Sequence, residues 1–79
     1  MEILLFGITR DIAGKAKLTI PTGEDLQTVG DLRIWLGQQY PAMAALNSLA
    51  VAVDSEYADD NTFINSVSEI ALIPPVSGG

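Results

Sequence analysis

The 79-residue chain is predicted to fold as an α+β domain: a mixed sheet of four to five strands packed against one main helix. Three observations carry this. Apolar and polar residues alternate with period 2 near both ends, as they do in half-buried strands. Between them, Thr28 to Gln39 repeats its apolar residues at helical spacing behind a start signal. No second helical segment of comparable length follows, so a single helix must supply the layer that covers the sheet.

Residues 2–8 form the first strand, with Ile3 and Leu5 on one face and Glu2, Leu4 and Phe6 on the other. Glu2 marks the second face as the wetter one. Leu4 and Phe6 are then either covered by a neighbouring element or part of a partner surface. Thr9 to Gly14 is a connection closed by a turn glycine. Lys15 to Ile20 alternates again, Ala16, Leu18 and Ile20 inward and Lys15, Lys17 and Thr19 outward, which gives an antiparallel hairpin with the first strand. Pro21 to Asp25 is a polar loop.

In the helix, Thr28 is the N-cap and Asp31 completes a capping box. Val29, Leu32, Leu36 and Tyr40 make the core stripe, Trp35 lies at its edge, and Ile34 points away. Gly30 and Gly37 each weaken the helix by about 1 kcal/mol relative to alanine, and Pro41 stops it. Residues 42–48 include a short helical turn. Leu49 to Val53 is a third strand with Leu49, Val51 and Val53 on one face. Asp54 to Tyr57 turns into a short edge strand. Asp59 to Thr62 is a polar loop, with a turn of helix at Thr62 to Ile64. In the last strand, Glu69 to Ile73, Ile70 and Leu72 face inward and Glu69, Ala71 and Ile73 outward. Leu18, Ile20, Leu32, Leu36, Val51, Ile70 and Leu72 are assigned to the core alone.

Pro74 and Pro75 end the last strand and hold the exit extended. The division is a domain over residues 1–74 and a flexible Gly-Gly tail over 75–79. If the first and last strands are parallel neighbours at the sheet centre, the arrangement is the ubiquitin-like β-grasp.

Composition limits the chemistry. The chain has no cysteine and no histidine. It therefore lacks the commonest general base and the thiolate and imidazole metal ligands, and no metal site is expected. The net charge of −6 opposes binding to nucleic acid or anionic lipid and suits basic protein partners. The apolar run Ile3 to Phe6 is too short for a membrane span or signal peptide, which points to a cytoplasmic protein.

The run Glu69-Ile70-Ala71-Leu72-Ile73-Pro74-Pro75-Val76-Ser77-Gly78-Gly79 closely resembles the ending of the MoaD family, the small sulfur-carrying subunits of molybdopterin synthase. Phe6, Arg10, Asp11 and Gly14 near the start, Thr28-Val29 at the helix and Ala52-Val53 before a turn are similar to that family too. Two turns depart from its pattern. Val53-Asp54 stands where the family commonly has Val-Asn, and Ser66-Val67-Ser68-Glu69 where it commonly has Asp-Gly-Asp-Glu.

The resemblance implies a carrier whose reacting group is the Gly79 carboxylate. An E1-like (MoeB-like) adenylyltransferase would adenylate it with ATP, and a sulfur donor protein would convert it to a thiocarboxylate. The large (MoaE-like) subunit of molybdopterin synthase would then pass the sulfur to cyclic pyranopterin monophosphate. No cofactor is held by the domain itself. Gly78 and Gly79 lack a Cβ, so catalytic groups can approach the terminal carbonyl, and a carboxylate needs an activating leaving group before sulfur can attack it. The resemblance places partner contacts on Pro75, Val76 and Ser77 in the tail and on Leu4, Phe6, Tyr57 and Ile73 on the outer face. Arg10 pairs either with a partner carboxylate or locally with Asp11 or Glu2. The acidic loop Asp59-Asp60 reads as solvated. Three other readings stay open: a thiamine-type sulfur carrier, a ubiquitin-like protein modifier, and a plain binding module with a loose end.

Overall fold

The first and last strands of the chain meet in the middle of the sheet. The computed structural model describes residues 1–21, 24–46 and 49–74. Its elements are β1 (Glu2–Leu5), α1 (Ile8–Ala13), β2 (Lys17–Thr19), α2 (Val29–Gln39), α3 (Pro41–Ala44), β3 (Ala50–Val53), β4 (Glu56–Ala58) and β5 (Glu69–Ile73). The strand order is β2-β1-β5-β3-β4. β1 and β5 are parallel, in register from Glu2–Glu69 to Leu5–Leu72; the other three pairings are antiparallel. This is the β-grasp arrangement, with five strands.

A parallel pair needs cover on its apolar face, and α2 is part of that cover. Ile3, Leu5, Ile70 and Leu72 from the central strands lie in one buried cluster with Val29, Leu32 and Leu36 of α2, and Leu18, Ile20 and Val51 complete it as expected. The helix starts where its sequence says. Thr28 Oγ1 accepts the Asp31 N–H at 3.2 Å, and Asp31 Oδ2 accepts the N–H groups of Thr28 at 3.2 Å and Gln27 at 3.0 Å. Ile34 is exposed. Trp35, at the edge of the stripe, is buried, and its indole N–H has no partner among the described residues.

The two helix glycines are sites of close approach. A Cβ on Gly30 would stand 3.2 Å from the Asp60 carbonyl oxygen, and one on Gly37 would stand 3.1 Å from Ala44 Cβ, where α3 folds back on α2. Their intrinsic cost to the helix is offset by this packing.

Four expectations are corrected. The Thr9–Gly14 connection is mostly helix α1, which begins after Gly7 (φ 55°) and ends at Gly14 (φ 76°), whose N–H bonds to the Arg10 carbonyl. β1 and β2 therefore pair antiparallel without a tight turn. β1 itself ends at Leu5 because the chain reverses at Gly7. Ala16 is exposed, not inward. It precedes β2, and its carbonyl accepts the Leu5 N–H at 2.9 Å while its side chain stays in solvent. Finally, Thr62–Ile64 makes no helical turn. It runs antiparallel beside the start of α2, bridging Phe63 to Thr28. The Thr62 and Asp60 carbonyls accept the N–H groups of Val29 and Gly30, both at 2.9 Å. These are first-turn donors that no helical carbonyl can reach, and they dictate the loop's path.

The β3–β4 hairpin turns on Asp54 and Ser55, with φ of 52° and 72°. A two-residue hairpin loop asks for that conformation, and aspartate tolerates it better than most residues. Asp60 is not merely solvated: its carboxylate pairs with Arg33 Nε at 2.7 Å. Among the described residues, no helix is long and apolar enough to cross a membrane.

A candidate docking face and tail exit

Strand alternation puts Glu2 and Leu4 of β1, Glu69, Ala71 and Ile73 of β5, Ala50 and Ala52 of β3 and Tyr57 of β4 on the face of the sheet opposite the core. The registers line up Leu4, Ala71, Ala52 and Tyr57 in one row across four strands. Three strand spacings separate its ends, roughly 14 Å. The two alanines leave a shallow apolar floor between Leu4 and Tyr57. In the next row, towards the end of β5, Ile73 lies opposite Ala50. Phe6 follows the Leu5–Leu72 pair on the neighbouring strand. Phe6 is 50% exposed and Tyr57 75%, while Leu4 and Ile73 are half-buried. The sequence left open whether Leu4 and Phe6 are covered within the domain; Phe6 is not, and Leu4 only in part.

Phe6 is held there by its own backbone. Thr9, fully buried, accepts the Phe6 N–H at 3.0 Å through Oγ1 and donates the same hydroxyl to the Phe6 carbonyl at 2.6 Å. The Thr9 N–H also bonds to that carbonyl, at 3.1 Å. The sequence reading missed Thr9; the available signal was a threonine two residues after a glycine at the end of a strand, a pattern that favours side-chain bonding back to the turn. It also missed Gly7. A Cβ there would stand 3.0 Å from Pro74 Cγ, so the last described residue of the chain lies against the residue that follows Phe6.

Arg10 is exposed on α1. Neither local partner considered for it is used among the described residues: Glu2 pairs with Lys17 instead, at 3.0 Å, and Asp11 makes no ion pair with it. Pro75, Val76, Ser77, Gly78 and Gly79 lie outside the described residues. No cluster among the described residues has the donors to hold a metal ion.

A five-stranded sheet in the order β2-β1-β5-β3-β4, with its first and last strands parallel at the centre and α2 across one face, defines a ubiquitin-like β-grasp protein. More narrowly, the sequence matches the ThiS family over residues 3–79, and the chain belongs to that family. It is 40% identical over 81 residues to the molybdopterin synthase sulfur carrier subunit of Dictyostelium discoideum, covering 99% of this chain and 94% of that protein. Among solved structures it is similar to SAMP1, small archaeal modifier protein 1 of Haloferax volcanii, with a TM-score of 0.78, 28% identity and coverage of 99% and 97% of the two chains. It is also similar to a chain in the complex of subunits 1 and 2 of molybdopterin-converting factor from Helicobacter pylori, with a TM-score of 0.66, 26% identity and coverage of 99% and 96%.

Proposed function

We propose that this chain is the sulfur carrier subunit of a molybdopterin synthase. The observation that carries the reading is end-to-end similarity to such subunits in a chain that closes Pro-Pro-Val-Ser-Gly-Gly beside an exposed apolar sheet face. Residues 1–74 are the docking domain and 75–79 the inserted tail.

The carrier contributes a carboxylate and a surface. A Gly79 carboxylate oxygen attacks the α-phosphorus of ATP in an E1-like adenylyltransferase, and pyrophosphate leaves. Sulfide-level sulfur delivered by a donor protein then attacks the acyl carbon, AMP leaves with the bonding electron pair, and a thiocarboxylate remains. In the large subunit, that sulfur passes to cyclic pyranopterin monophosphate. A domain without histidine or cysteine fits this division of labour, because each step uses side chains of a partner. Leu4, Phe6, Tyr57 and Ile73 form the apolar contact, Arg10 offers its guanidinium to a partner carboxylate, and Pro75, Val76 and Ser77 line the inserted segment. Pro74 against Gly7 fixes where that segment begins, which lowers the ordering cost of insertion. We place the work in the cytoplasm, where ATP is at hand.

Likeness to a modifier protein favours a second reading, conjugation of Gly79 to lysines of other proteins; adenylation is the first step in both. Intact mass after incubation with ATP, an E1-like enzyme and sulfide separates them. Exchange of one oxygen for sulfur at an activated carboxylate adds about 16 Da. An unchanged mass refutes the carrier reading, and covalent adducts with other proteins favour the modifier.

A further inference from the structure

At the other end of the outer face from the tail exit, a groove of about 390 Å³ opens between the start of β1 and the turn before β5. Met1, Glu2, Leu4, Lys17, Val67 and Glu69 are among its walls. Leu4 belongs both to this groove and to the apolar row described above, so the two surfaces are continuous.

Two features of the groove are unfavourable in the free protein. Glu2 and Glu69 are register partners on adjacent parallel strands and leave the same face. Like charges side by side destabilise a sheet. Lys17 satisfies Glu2, but Glu69 has no cation among the described residues, and Asp54, which accepts the Glu69 N–H through Oδ1 at 3.0 Å, brings a third carboxylate close. Opposite them, Val67 is 86% exposed on a turn that is firmly built. Asn65 Oδ1 accepts the Val67 N–H at 2.9 Å, Ser68 Oγ accepts the Asn65 N–H at 3.0 Å, and the Asn65 carbonyl accepts the Ser68 N–H at 3.0 Å.

We propose that this groove receives an arginine or lysine side chain of the large synthase subunit, its aliphatic stem between Leu4 and Val67 and its charged head at Glu69, and that the contact selects the cognate large subunit. The inference rests on the carrier reading above. A long basic side chain matches both halves of the site, because its stem packs on apolar surface while its head seeks a carboxylate. Charge placed at an interface rim governs approach and choice of partner more than raw affinity.

The test is calorimetric titration of the carrier with the large subunit of the same organism, using wild type, Glu69→Gln and Val67→Ser. Each variant is expected to bind about fivefold more weakly at low salt. At about 0.5 M salt the Glu69→Gln deficit should vanish, because the pair it removes is screened, and the Val67→Ser deficit should remain. Thermal melts of the free proteins provide the control: Glu69→Gln should melt no lower than wild type, since it removes a like-charge contact. Affinities equal to wild type for both variants overturn the proposal, as does a Glu69→Gln deficit that is independent of salt. Failure of the wild-type protein to bind in the same titration would instead refute the carrier reading itself.

Discussion

Gly7 and Pro74, 67 positions apart in sequence, are packed so closely that a Cβ on the first would stand 3.0 Å from Cγ of the second. Gly7 also holds φ at 55°, a region that β-branched residues avoid. Gly7→Val therefore faces both strain and a clash. It should cost about 2–4 kcal/mol, read as a fall of roughly 10 °C or more in the melting temperature for a domain of this size. A melt within 2 °C of wild type (about 0.4 kcal/mol) would mean that the Pro74 contact yields freely.

Phe6→Ala removes a half-exposed ring from the outer face without opening the core. The melting temperature should stay close to that of wild type, while affinity for the large subunit falls by tenfold or more, about 1.4 kcal/mol. Calorimetry decides it. Unchanged affinity would remove Phe6 from the docking surface.

Thr9→Val keeps the shape of a fully buried side chain and deletes the hydroxyl that serves both the N–H and the carbonyl of Phe6. The expected loss is about 1–3 kcal/mol in urea unfolding. Affinity for the large subunit should fall as well, because the anchor of Phe6 loosens. A stability loss with full affinity would limit Thr9 to a folding role.

Deleting Gly79 should leave the melt and the docking affinity unchanged and abolish sulfur transfer, measured as product formed by the reconstituted synthase. Transfer that survives would place the reacting carboxylate elsewhere.

Thr28→Ala breaks the capping box at the start of α2 and should cost about 1 kcal/mol, visible in urea unfolding. A smaller effect would show that the carbonyls of Asp60 and Thr62 already hold that helix end.

The parts of the fold that were legible are those set by local chemistry. The Thr28–Asp31 capping box and the apolar stripe behind it fixed α2, and alternation assigned Ile70 and Leu72 to the core and put Ile3 and Leu5 on the face away from Glu2. What escaped depends on distant groups. Thr62–Ile64 is extended because the first N–H groups of α2 need its carbonyls, and nothing within those residues says so. α1 was hidden because six residues carry too little periodicity to stand out from a loop. Gly30 and Gly37 read as helix defects until Asp60 and Ala44 were seen beside them. For the candidate site, alternation named Phe6, Leu4, Ile73 and Tyr57 as outward residues. Thr9 and Gly7, which hold Phe6 and the chain exit in place, act through contacts that no strand pattern reveals.

The placement of β5 between β1 and β3 also governs when the protein can exist in folded form. The sheet's central strand is synthesised after the four it organises, and its pairing with β1 closes a loop that holds every other element. Such non-local pairings form late, so a growing chain cannot complete its core until residue 73 is free to join. Loss of residues from within β5 would remove the middle of the sheet, not trim an edge. Every folded copy therefore carries the stem from which the tail extends, and a copy cut back into that stem loses its fold, exposing it to cellular proteolysis instead of letting it compete with intact carrier for the partners' docking sites.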